Sequence, residues 1–219
     1  MGAFALLSLS AALPASAALS QTAVSFDSSN LKVDSQPYQF SLGYSFTTGL
    51  SSLSVTDLGY LNDGATGAAA THQLQIYQIS SGSAASPLAG TALLPTPVTV
   101  TTSSNAPTYN TFSFVGLLSP VTLLANTSYE IVGNSNGNGY GVSAVNPVFN
   151  GITYGTTTYK FGTTTPDFNP NTYAANNAGD FGPNFKFAAV PEASTSLGLG
   201  LMLVLGGIAL VARKKSIQA

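Results

Sequence analysis

Across 219 residues only 6% of side chains are charged, cysteine is absent, and the formal net charge is −2. The lack of cysteine excludes disulfides, thiolate chemistry and cysteine metal sites. Residues 18–190, with seven acids against Lys32, Lys160 and Lys186, offer no basic patch, so nucleic acid is not an expected partner.

A hydrophobic share of 44%, with twelve Phe and ten Tyr, argues for a folded, neutral, hydroxyl-rich domain rather than a disordered chain. In chain order, residues 3–13 (AFALLSLSAAL) form a short apolar run, and Ala15-Ser16-Ala17 follows with small residues at Ala15 and Ala17. That is the apolar region and cleavage site of a secretory signal peptide over 1–17. The basic stretch that normally precedes such a run is missing, and a start upstream of Met1 is the expected explanation.

From residue 18 to 189 the pattern is strand-like, with turns every ten residues or so. Phe40, Leu42, Tyr44 and Phe46 alternate with polar or small residues, predicting a half-buried strand. Leu53 and Val55 fall on one parity and Leu58 and Tyr60 on the other, predicting a bulge near Thr56-Asp57. Asn62-Asp63-Gly64 reads as a turn. Residues 72–79 form a strand with Leu74 and Ile76 on one face, and 80–87 a loop. Pro95 and Pro97 split two short strands and place them at a sheet edge or a crossing between sheets. Phe112 and Phe114 are expected to point inward. Ala125-Asn126-Thr127 reads as a hairpin, 152–161 as a strand pair or one long strand, and 166–179 as a long polar loop. About ten short strands without a helix predict an all-β, antiparallel β-sandwich ectodomain over 18–189, jelly-roll or Ig-like.

Residues 190–219 read VPEASTSLGLGLMLVLGGIALVARKKSIQA. Residues 197–212 carry no charge. As a single transmembrane helix they rise about 24 Å, at ~1.5 Å per residue, and 194–196 extend the run. Arg213, Lys214 and Lys215 follow and hold the end on the cytoplasmic side. Val190-Pro191-Glu192, the glycine-studded apolar segment and the basic end together resemble the PEP-CTERM sorting signal, with Ala193 where that family usually has a second Pro. The resemblance spans about one seventh of the chain. It implies recognition and cleavage by an exosortase, after an inner-membrane-anchored precursor stage, and delivery to the cell surface or extracellular matrix of an exopolysaccharide-producing bacterium. The bland reading of the same segment is an unprocessed membrane anchor. The stretch from His72 through Tyr140 also resembles bacterial surface domains of unknown function, through 72–79, Pro87-Leu88-Ala89, Phe112-Ser113-Phe114, Pro120-Val121-Thr122-Leu123 and 126–131.

No enzymatic constellation stands out. His72 is the single histidine, has no G-x-S-x-G partner motif, and reads as a solvent-facing strand residue. Nothing selects two of the carboxylates as the pair that glycoside hydrolysis needs. Oxygen-rich turns at Asp63, Asp167 and Asp180 are candidate calcium ligands without EF-hand spacing, and ordinary turn chemistry accounts for them equally. Loop aromatics Tyr109, Tyr140, Phe168 and Tyr173 are candidates for stacking on sugar rings, or else anchors tucked onto the core. The expectation is therefore a non-enzymatic exported surface or matrix protein with no cofactor. A glycan-binding module attached to exopolysaccharide is the alternative, and a hydrolase is third.

Overall fold

The computed structural model describes residues 19–25, 32–34, 39–62, 70–102, 112–135, 140–142, 147–173 and 180–190. In chain order its strands are β1 (Gln21–Thr22), β2 (Val24–Ser25), β3 (Lys32–Asp34), β4 (Phe40–Thr48), β5 (Leu53–Leu61), β6 (Thr71–Ser83), β7 (Ser86–Ala92) and β8 (Val98–Thr101). They continue as β9 (Phe112–Leu123), β10 (Ser128–Asn134), β11 (Tyr140–Val142), β12 (Val148–Phe149), β13 (Ile152–Phe161), β14 (Asn171–Tyr173), β15 (Asp180–Phe181) and β16 (Pro183–Ala189). Among the described residues there is no helix, and every strand pair is antiparallel.

Two sheets carry the architecture. The first runs β1-β16-β5-β9, and the second β14-β13-β4-β10-β6-β7 with β8 also on β6. Short ladders β15-β11-β3 and β12-β2 complete it. The chain alternates between the main sheets: β4 lies in the second, β5 in the first, β6 in the second, β9 in the first and β10 in the second. Sequence neighbours are thus seldom ladder neighbours.

Rings join the sheets. Phe46 of β4 meets Phe185 of β16 with centroids 5.2 Å apart. Tyr44 meets Phe181 edge-on at 5.4 Å, and Tyr60 of β5 stacks on His72 of β6 at 3.6 Å. The Phe and Tyr rings form one buried core with Leu58, Leu74, Ile76, Leu123 and Ile131. Aromatic pairs of this kind contribute about 0.5–1.5 kcal/mol each beyond the area they bury.

Several expectations hold. The bulge in β5 falls between Val55 and Asp57. β7 and β8 occupy the same edge of β6, opposite Tyr77–Ser83 and Thr71–Leu74, with the prolines in the break between them. Residues 152–161 are one strand.

Others are corrected. β4 is buried on both faces, with Ser41 and Ser45 as inaccessible as Tyr44, because later segments cover its polar face. His72 is fully buried between the sheets, not solvent-facing. Residues 80–87 are a hairpin: β6 runs to Ser83, opposite Ser86, since ladder bonds need no apolar periodicity. Phe114 lies on the outer face of the first sheet, in the notch left by Gly59 and under the Lys186 ammonium, 4.4 Å from the ring centroid.

The 125–127 turn joins β9 in one sheet to β10 in the other, so it is a corner, not a hairpin. Asn126 takes a left-handed φ of 51° there, a conformation Asn tolerates. Thr48 Oγ1 donates to the Leu124 carbonyl at 2.6 Å and accepts from the Thr127 N–H at 3.0 Å, while the Tyr129 hydroxyl accepts from the Leu124 N–H at 2.8 Å. These side chains satisfy backbone groups that the sheet change leaves unpaired.

Removing a ring from the seam opens a cavity that neither sheet can close. Phe46→Ala is expected to lower stability by about 3–5 kcal/mol in urea denaturation. Leu118→Ala, at a fully exposed position of β9, is expected to change it by less than about 0.5 kcal/mol.

Candidate functional site

Glu130 sits in the middle of β10, paired with Ser45 of β4 on one side and Tyr77 of β6 on the other. Its neighbours Tyr129 and Ile131 enter the core. Alternation therefore sends the carboxyl to the opposite, outer face of the second sheet. That face would ordinarily meet water, yet Glu130 has no exposed surface.

A strap of residues 162–170 covers it. β13 ends at Phe161, Gly162 takes a φ of 72°, and the chain returns across the sheet. The strap has no ladder of its own; side chains pin it. Asn134 Nδ2 donates to the Thr164 carbonyl at 3.0 Å and Tyr77 donates to the Pro166 carbonyl at 2.9 Å. Ser41 Oγ donates to the Asp167 carbonyl at 3.3 Å, and the Asn169 N–H donates to Glu130 Oε2 at 3.3 Å. Phe168 fills a notch over Gly90, where a Cβ would lie 2.5 Å from its ring, and packs edge-on against Tyr77 at 5.7 Å. Beside the strap the β6–β7 hairpin tip folds over β4: Ser45 donates to the Ala84 carbonyl, and Gly155 leaves room for that tip.

Burial dominates the electrostatics. It pushes the Glu130 carboxyl up to about 8, against the opposing pull of the Thr158 hydroxyl and the Asn169 N–H. Burial, then the nearby Asp167 and Glu130 carboxyls, also raise the Tyr77 hydroxyl. Glu130 Oε1, Thr158 Oγ1 and both polar atoms of the Asn169 amide are buried without a well-formed hydrogen bond. Asp167 is the contrast. Half-exposed, it pairs with Lys160 at 2.8 Å and accepts from Thr165 at 2.8 Å. The Lys160 hydrogen bond is the main reason its carboxyl is held below the usual range.

Of the residues singled out from sequence, Asp167 and Phe168 fall side by side in this strap, one in an ion pair and the other in a notch. Tyr140, Tyr173 and Asp180 are placed by their backbones on β11, β14 and β15, opposite Asp34, Thr157 and Val142. Asp63, Tyr109, Ala15, Ala17, Pro191, Glu192, Arg213, Lys214 and Lys215 lie outside the described residues, as does the expected 197–212 helix. Val190 directly follows β16 and donates its N–H to the Ser52 carbonyl at 2.9 Å.

Among the described residues no group of three His, Asp or Glu side chains could hold a metal ion. The Asn62 amide oxygen beside the expected calcium turn instead accepts from Ser113 at 2.7 Å. His72 Nδ1 lies 2.7 Å from the Asn134 carbonyl, an acceptor that fixes the proton on Nδ1. Glu130 was the residue that sequence reasoning passed over. Its signal was a lone carboxylate inside the run Tyr129-Glu130-Ile131-Val132, where alternation buries one face only if nothing covers the other.

No family model matches the chain, and neither a curated protein nor a solved structure matches it.

The geometry separates a packed anchor from an exposed one. Gly90→Val drives Phe168 from its notch and is expected to cost about 1–3 kcal/mol in urea denaturation. Asp167→Asn loses an ion pair whose side chains are 41–42% exposed, and the same measurement should register about 1 kcal/mol at most.

Proposed function

We propose that the chain is an exported, non-enzymatic surface or extracellular-matrix protein, delivered by its C-terminal PEP-CTERM-like signal. The observation that carries this reading is the order of parts at the C-terminal side of the fold. The last strand, β16, ends at Ala189. The tripeptide Val190-Pro191-Glu192, the apolar segment 197–212 and Arg213-Lys214-Lys215 follow without a linker domain. The tripeptide then stands at the outer face of the inner membrane, within reach of a membrane-embedded exosortase. The absence of cysteine does not argue against that destination in a domain of this size, and the antiparallel body, its chain alternating between sheets, is read as a jelly-roll or Ig-like sandwich.

A second reading, attachment to the producer's exopolysaccharide, is favoured by one feature. Phe161 is 68% exposed at the end of β13, with the Tyr159 ring 5.1 Å away. Exposed aromatic rings are the usual stacking partners of sugar faces. In affinity electrophoresis with that polysaccharide in the gel, a glycan-binding body is retarded and Phe161→Ala, Tyr140→Ala or Tyr173→Ala relieves the retardation. Equal mobility with and without polysaccharide removes this reading.

The sorting reading is tested by the intact mass of protein recovered from the cell surface or medium. Loss of the residues after about Val190 is expected. Replacing Arg213, Lys214 and Lys215 together by neutral residues should impair that processing in a fractionation blot. A retained C-terminus would make the chain a plain anchored domain.

A further inference from the structure

The strap over Glu130 is held differently from every ladder in the fold. Five hydrogen bonds fasten it to strands of the second sheet, each using at least one side chain, and one of them ends on Glu130 Oε2, while a backbone bond from the Gly162 N–H to the Gln39 carbonyl at 3.1 Å holds its start. We propose that residues 162–170 are a pH-gated cover, closed by the neutral Glu130 carboxylic acid and released when that carboxyl ionises.

The surroundings of the carboxyl carry the inference. A buried carboxylate needs a cation or several donors. Glu130 receives the Asn169 N–H from the strap, with the Thr158 hydroxyl beside it from β13. From β6 the facing titratable group is Tyr77, itself a neutral donor committed to the Pro166 carbonyl. The strap contributes Asp167, a like charge, and β13 contributes Lys160, which is committed to Asp167. β4 presents only Ser41 and Ser45, whose hydroxyls donate to the Asp167 and Ala84 carbonyls.

Around Glu130 no described cation is free to balance a negative charge, and the Thr158 hydroxyl and both polar atoms of the Asn169 amide are buried without a well-formed hydrogen bond. Ionisation leaves a buried charge that receives one geometric hydrogen bond, and its nearest relief is water, reached by lifting a segment that no ladder retains.

The sign follows from the closed and open states. The carboxyl is raised to about 8 under the strap, against an ordinary 4.5 in water. The closed state is thus fully favoured below pH 4.5. It is progressively lost as pH rises toward about 8, and the loss then levels off. Within that window the opening equilibrium rises about tenfold per pH unit.

Hydrogen exchange on the full chain tests this, with protection of residues 162–171 normalised to unstructured peptide at each pH. Between pH 6 and 8 the wild type is expected to lose about tenfold protection per unit in the strap, while residues 128–134 stay protected. Glu130→Gln, neutral throughout, should show no such slope. Equal slopes in the two proteins would overturn the proposal. Should Glu130→Gln fail to fold, carbon-13 NMR of the wild-type Glu130 carboxyl decides: a midpoint well above the carboxylate range supports the cover, and one in that range overturns it.

Discussion

Strand β4 has no face to give to water, and much of the molecule follows from that constraint. Its aromatic side, Tyr44 and Phe46, builds the seam between the sheets, against Phe181 and Phe185. Its other side carries Ser41, Gly43 and Ser45, small residues that let strands and loops approach closely. A Cβ at Gly43 would overlap the Ile131 carbonyl of β10. Two central neighbours, β10 and β13, then pair along nearly its whole length. A strand buried on both faces needs a cover on the second, and the chain supplies one from the strap and one from the β6–β7 tip.

Those covers use a neutral chemistry. With so few charges available, irregular segments are fastened by Ser, Thr, Asn and Tyr side chains bonded to backbone carbonyls and N–H groups. Thr48 at the 125–127 corner, Asn184 against Val24 at 2.7 Å, and Tyr77 on the strap all act in this way. Each such bond contributes about 1 kcal/mol net, but leaving its buried partner unsatisfied costs more. The composition that looks merely polar in the sequence is thus the fastening system of the loops. Salt affects such bonds far less than it affects surface ion pairs.

Glu130 is where this chemistry is stretched furthest. A carboxylate in the outer row of a half-exposed sheet would be unremarked; the strap turns the same residue into a buried acid with an elevated proton affinity. Its environment is made by β6, β10 and the continuous stretch of β13 and the strap, three segments far apart in the chain. No local window of sequence contains it.

What the sequence alone determined is the period-2 class of the body, the parity switch in β5 and the edge position of the proline-flanked strands. Those depend on neighbours within ten residues: alternation, a bulge and a missing N–H are local facts. Tertiary structure alone decided that the polar face of β4 is buried, that His72 stacks inside on Tyr60, that Phe114 faces outward, and that the 125–127 turn changes sheets. Each depends on which distant segment arrives opposite, and alternation specifies two faces of a strand without specifying what covers either.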